Sequence, residues 1–405
     1  MLTARFAFFY LTYFAGLGVM LPWFNVYFET LGMSGFRIGI LTAIVPMGKM
    51  VFPTIWARRA DRSGRRRQLT IVACFLSVGA TGAFLFVETF FGLALACIAL
   101  SLVDGPRLPM VEATTMDLTR EGRLDYGRAR AWGSVGFILA AVAVGAVVGA
   151  GPIRIVLHAT LLFAALNAAA ALFLPEAPVV PAPGGASLRS FVRQRRVVVF
   201  FAACMLMQAS HGAYYAFFSI HMQREGYARG SIGLLWGLGV AAEIVIMFLS
   251  RSLSARFAPV PVMIGCTLVA GARWGLLAAS AHPVVVVAAQ MLHAFTFAAF
   301  HIAAVSQTHR IFPRELHASG QGLLGGITYG LGTVTGAFVS GFLFDLAGAW
   351  RMFGTSAAIA LAGTLALTAF RLFPHNRRDR GPDGGADGRA DGGEREATRI
   401  DAAAV

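Results

Sequence analysis

Charge is what this 405-residue sequence has least of: only 13% of its residues are Asp, Glu, Lys or Arg. A water-soluble domain carries about a quarter, so a free-standing globular protein is excluded. Lysine is almost missing, with Lys49 alone beside 33 arginines. Cysteine is sparse too. Cys74, Cys97, Cys204 and Cys266 lie far apart, each inside an apolar run, which excludes a disulfide framework and a cysteine metal site. The H-E-x-x-H of zinc proteases is absent, and no paired acidic motif faces a membrane surface. A polytopic enzyme is therefore a weak reading, and no cofactor or metal is expected.

What is there is apolar. Hydrophobic residues make up 57% and the mean hydropathy is +0.67. Windows of about 20 residues, the length that crosses a bilayer, place twelve spans. They lie near 5–28, 37–57, 69–88, 90–117, 132–151, 153–174, 197–222, 231–250, 260–280, 283–308, 318–344 and 350–373. The run after Arg5 reaches about Phe28, too long for a signal-peptide core, and reads as the first span. The net charge of +14 would suggest nucleic acid in a soluble protein. Here the arginines sit in short loops. Eighteen fall on the side of the 58–67 loop and five on the other. By the positive-inside rule both termini are expected in the cytoplasm of a bacterial inner membrane, with lipid and not nucleic acid as the surroundings.

The longest linker, 175–196, holds a Pro/Gly-rich PEAPVVPAPGGAS stretch that resists helix formation. It separates residues 1–174 from residues 197–373, six spans each. At a constant offset of 194, Gly18, Phe24, Gly32, Ile38, Gly39, Leu41 and Arg62 recur as Gly212, Phe218, Gly226, Ile232, Gly233, Leu235 and Arg256. Such a repeat predicts two pseudo-symmetric six-helix bundles in an all-α fold. Residues 374–405 are rich in Gly, Asp, Arg and Ala, and are expected to be a disordered cytoplasmic tail.

Ionisable side chains at membrane depth are costly and so point to function. Lys49 falls in span 2, and Asp104, Arg107 and Glu112 in span 4 beside Pro106 and Pro109. His211 is in span 7 near Gln208, Glu243 in span 8, Arg273 in span 9, and His293 and His301 in span 10. The 194 offset sets Lys49 against Glu243. At 100° per residue, Asp104 and Glu112 share a broad helix face, and His293 and His301 do likewise. The prolines are expected to kink span 4 and free carbonyls. A purely structural Lys49–Asp104–Arg107 ion cluster stands beside a substrate-binding reading of the same residues. The histidines suit proton uptake and release near neutrality. Trp23 and Tyr27 of span 1 and Tyr214 and Tyr215 of span 7 could stack on an aromatic substrate.

The loop RRADRSGRRR, residues 58–67, carries six arginines. Its inner part resembles the D-R-x-G-R-R signature of the major facilitator superfamily, with Asp61, Arg62, Gly64 and Arg65 at the motif positions. The resemblance implies a cytoplasmic latch that changes partners as a transporter rocks. Gly64 suits a turn that requires positive φ. The stretches 126–137, 210–244 and 293–313 further resemble the bacterial 3-phenylpropionate transporter family, distant kin of the oligosaccharide:proton symporters, across nearly all of 5–373. That implies spans 1, 4, 7 and 10 lining a central cavity. It also implies Glu243, Arg273 and His293 as counterparts of the sugar permeases' coupling cluster, although Thr296 stands where those permeases carry a further glutamate. The G-P-x-x-G-G pattern of drug exporters is not completed after AGPIR, 150–154.

The resulting expectation is a monomeric secondary transporter, a proton symporter for a small organic anion such as an aromatic carboxylate. Arg273 or Arg107 would bind the carboxylate, and Glu243 would pair directly with Arg273 until substrate displaces it. Export of drugs or metabolites, and sugar or nucleoside symport, remain open on the same fold.

Overall fold

The computed structural model describes residues 2–176, 191–313 and 316–372. Most of the 175–196 linker and the 374–405 tail lie outside the described residues, as does the side chain of Asp61.

Among the described residues the chain is helical and has no strand. The first six helices are α1 (Leu2–Thr30), α2 (Gly35–Ser63), α3 (Arg66–Gly82), α4 (Phe90–Arg120), α5 (Tyr126–Ala150) and α6 (Ile155–Leu172). The next four are α7 (Arg195–Arg224), α8 (Arg229–Arg256), α9 (Pro259–Ala279) and α10 (Pro283–Ile311). Polar side chains start several of them: Ser34, Thr89 and Asp125 accept from the amides of Arg37, Gly92 and Arg128, the usual N-cap arrangement.

Among the described residues eleven helices are long and apolar enough to cross a bilayer, and the eleventh, Ser319–Leu372, has 54 residues. That is about 80 Å of helix, against a hydrocarbon layer of about 30 Å. Gly348, at φ 72° and ψ −179°, breaks it. The two pieces, α11 (317–347) and α12 (349–372), complete the expected twelve crossings.

The repeat is visible in the backbone. Gly32 and Gly226, one offset apart, both take positive φ (77° and 86°) where α1 turns into α2 and α7 into α8. In one bundle α1 packs on α5 and α6, and α3 on α4 and α6. In the other α7 packs on α11, and α9 on α12 through Gly271 and Leu361. The bundles meet where α2 crosses α11 and α5 crosses α8. At those crossings an added Cβ on Gly39 would stand 2.6 Å from the carbonyl oxygen of Ala337, and one on Gly233 would collide with that of Ala141.

Pro106 and Pro109 lie inside α4, which continues through them as one helix. Helix α10 contains a π-helical segment, Ala294–Ala299, and α11 another, Gly326–Gly332. A π turn is wider than the 3.6-residue turn and is frequent at functional sites.

Candidate functional site

Between α8, α9 and α10 lies a buried chain of polar groups. Glu243 Oε1 is 2.9 Å from His293 Nε2, and His293 Nδ1 is 2.8 Å from Arg273 Nη1. The expected direct Glu243–Arg273 pair is therefore replaced by a bridge, because the imidazole of His293 enters between them. Arg273 is 0% exposed. It donates to the carbonyl of Ala289 at 2.8 Å, to Thr296 Oγ1 at 3.0 Å and to Gln290 Oε1 at 3.3 Å. The rings of Tyr214 and Trp274 lie 4.5 and 4.3 Å from its guanidinium carbon. These partners leave Arg273 no open face for a substrate in this conformation.

The bonding pattern assigns the imidazole's protons. A guanidinium only donates, so Nδ1 must accept, and a neutral ring then carries its hydrogen on Nε2, aimed at Glu243. His211 continues the network. Its Nδ1 donates to the carbonyl of Met207 at 2.9 Å, so its Nε2 accepts from Thr296 Oγ1 at 3.3 Å. Thr296, at the position where sugar permeases carry glutamate, thus links Arg273 to His211 without adding a charge.

His301 is not part of this chain. Its Nδ1 lies 2.7 Å from the hydroxyl of Tyr329 in α11. The π segment between the two histidines changes the angular count, so the shared face expected from a regular helix is lost. Phe297, inside that segment, stacks on His293 at 5.5 Å and reaches Tyr329 at 6.2 Å. Phe297, Tyr329, His301 and Tyr215 are all partly exposed and form an aromatic wall beside Glu243.

Facing that wall from the other bundle is Arg130, the fifth residue of α5. Its charge is within electrostatic range of both Glu243 and His301. Its guanidinium carbon lies 3.9 Å from the centre of the Phe14 ring, and its Nε 3.9 Å from Glu112 Oε1. The side chain keeps 27% exposure, so unlike Arg273 it has donors to offer. Arg130, Phe297 and Tyr329 are not among the residues that the sequence alone singles out.

The second buried ionic group lies wholly within the first bundle. Asp104 pairs with Arg107, one helical turn on, and with Lys49 of α2 at 3.5 Å. Arg107 donates to Ser77 at 2.9 Å and to Asn167 at 3.2 Å, and Asn167 donates to the carbonyl of Phe9. Five helices are tied together by this network. Glu112 does not join it. Despite the predicted common face with Asp104, it pairs with Arg130.

The remaining predicted residues divide. Trp23 and Tyr27 are buried, at 0% and 1% exposure. Trp23 packs near Gly145 of α5. Tyr214 lies in the Arg273 cluster, 4.5 Å from the Trp236 ring. Gly64 ends α2 with φ 64°, as its place in the loop demands. Arg62 and Arg65 are exposed.

Comparison with known proteins agrees with this architecture. Over 306 residues, 73% of this chain and 79% of the other, the sequence is 29% identical to the probable 3-phenylpropionic acid transporter of Escherichia coli (strain K12). Over 344 residues, 84% and 87% of the two chains, it is 24% identical to the maltose permease of Geobacillus stearothermophilus. The crystal structure of the nucleoside transporter NupG superposes with a TM-score of 0.79 at 18% identity, over 92% of this chain and 100% of that one. The sequence pattern of the MFS_1 like family matches residues 3–355, and the chain belongs to that family, a multi-pass membrane transporter of the major facilitator type rather than an enzyme.

Proposed function

We propose that this transporter is a proton symporter for a small aromatic carboxylate. The observation that carries the reading is the Arg273–His293–Glu243 chain. While Arg273 donates to Nδ1, His293 has no site for a second proton, so an arriving proton goes to the Glu243 carboxylate. Arg273 is otherwise surrounded by neutral acceptors, and ionised Glu243 is its counter-charge through the ring.

Charge balance then couples the two cargoes. Empty, the site holds Arg273 and Arg130 against Glu243 and Glu112, which is neutral. Protonation of Glu243 leaves one excess positive charge, and a bound carboxylate cancels it. Either half-loaded state carries a net charge in a poorly solvated place, which is costly; the empty and fully loaded states do not. Only those two are favoured to rock across the membrane, which is symport. Arg130 supplies a planar, partly free donor fork for the carboxylate. Phe297, Tyr329, Tyr215 and Phe14 supply ring surfaces for an aromatic body. The similarity to a probable 3-phenylpropionic acid transporter supports the same substrate class.

The other ionic group, Lys49, Asp104 and Arg107, enters this reading as a structural tie. Asp61, Arg62, Gly64 and Arg65 enter as the latch at the cytoplasmic end, an orientation that rests on the arginine asymmetry. The test is uptake by proteoliposomes of purified protein under an imposed pH gradient, with 3-phenylpropionate, other aromatic acids, sugars and nucleosides compared. Accumulation of an aromatic acid together with internal acidification is expected. Uptake confined to uncharged sugars or nucleosides, or uptake that moves no protons, sinks the reading.

A further inference from the structure

The two bundles are fastened together at one end, the end of the α1–α2 turn at residues 31–34. There α2 of the first bundle starts against the end of α11 in the second. The carboxylate of Asp345 accepts the amide hydrogens of Gly35 at 2.7 Å and Phe36 at 2.8 Å, one on each oxygen. These are the first two amides of α2, which have no acceptor within their own helix. The helix dipole adds attraction for an anion at this position. Close approach is built in, since an added Cβ on Gly35 would sit 3.0 Å from the carbonyl oxygen of Gly341, and one on Gly341 would sit 2.6 Å from that of Gly35.

Other contacts between the bundles gather at the same end. Arg224 at the end of α7 pairs with Glu29 near the end of α1, at 2.8 Å. Arg229 donates to the carbonyl of Val148 at 3.1 Å, and Asn25 to that of Tyr215 at 3.2 Å. At the opposite end, by the arginine loop, two arginines have partners in their own bundle. Arg66 pairs with Asp117, and Arg67 donates to the carbonyls of Leu172 and Leu174.

We propose that Asp345 is the lock that holds this end shut, a carboxylate of one bundle capping the first helix turn of the other. The contact depends on conformation. When the bundles part at this end, Asp345 and the amides of α2 separate and water takes both. The charge of Asp345 therefore sets how much of the population rests in the state described here. The lock is independent of which substrate is carried and of how protons are coupled.

The test uses spin labels at Thr30→Cys and Trp350→Cys, exposed positions on opposite bundles at this end, with the distance between them read by pulsed electron resonance. Asp345→Ala is expected to raise the long-distance, open population by roughly tenfold or more, the scale of losing hydrogen bonds to a charged group. Asp345→Asn, which keeps an acceptor but not the charge, falls between. Phe36→Pro removes one amide donor and leaves the carboxylate intact, in a first turn where proline is tolerated. It should open the same end, and combining it with Asp345→Ala should add little, because both break one contact. An unchanged distance distribution in a monodisperse Asp345→Ala protein overturns the proposal, as does full additivity in the double variant. Should Asp345→Ala fail to fold, Asp345→Asn and Phe36→Pro decide by the same readout.

Discussion

Among the described residues, two ionic groups at related places in the repeat are built differently. In the first bundle Asp104 touches both its cations directly, and Arg107 is further held by Ser77 and Asn167. In the second, acid and base are separated by an imidazole, and the acid end lies beside the aromatic wall. Lys49 and Glu243, one offset apart, show the same backbone position serving both designs. A direct pair gains its energy by staying closed, so it suits a tie between helices. In a bridged pair the arginine fixes the ring hydrogen on the side of the acid, so an arriving proton falls on the carboxylate. Burial and charge are common to both groups; the interposed His293 makes the difference.

Removing the closed pair's acid should have the largest effect. Asp104→Ala leaves Arg107 and Lys49 facing each other without a counter-charge. Loss of one partner of a buried pair costs about 3–5 kcal/mol, a large part of a typical stability. The expected outcome is a sharp fall in folded protein and in melting temperature in detergent, with whatever folds still transporting. A stable Asp104→Ala protein that no longer transports would place the first group in the transport cycle and erase the contrast.

Glu243→Gln should do the opposite. The amide oxygen still accepts from His293 Nε2, so folding is retained, but the proton site is gone. Uphill accumulation is expected to vanish while exchange of substrate across equilibrated vesicles continues, now insensitive to pH. Accumulation with the pH dependence of the unaltered protein would show that the bridge does not carry the proton. Arg130→Lys is a milder change, keeping the charge and losing the planar fork. Affinity for the carboxylate should fall by about tenfold, equivalent to about 1.4 kcal/mol, with the accumulation ratio at saturating substrate unchanged.

The parts of this picture that are legible in the sequence are local or periodic. Spans follow from apolar windows, the halves from a fixed offset, and the break at Gly348 falls in the gap between the last two windows. Glu243, Arg273 and His293 are legible because charge inside an apolar run is conspicuous. Arg130 is not, because it lies near the start of α5, next to a loop whose arginines read as topology signals. The bridge by His293 is hidden for a geometric reason. Neither the π segment nor the depth at which α8, α9 and α10 face each other is encoded in a 3.6-residue period. Phe297 and Tyr329 are indistinguishable from the many aromatic residues that any membrane protein carries. Asp345 lies at the end of a span, where a carboxylate attracts no notice until its acceptor role toward α2 is seen.

The smallest effect separates two histidines of one helix. His293 has two charged neighbours, and His301 has Tyr329 alone as its bonded partner among the described residues. If the bridge is what couples protons, His293→Ala should abolish accumulation, because Glu243 and Arg273 lose their connection and a gap opens between them. His301→Ala removes one hydrogen bond from the aromatic wall, a change worth about 1 kcal/mol. It should weaken substrate affinity by about fivefold and leave both the accumulation ratio and the pH profile of uptake as they were. Measuring uptake against pH for the two variants side by side distinguishes the roles. A shifted pH profile in His301→Ala would mean that the proton passes along the wall through Tyr329, and that the Glu243 bridge is only one of its stations.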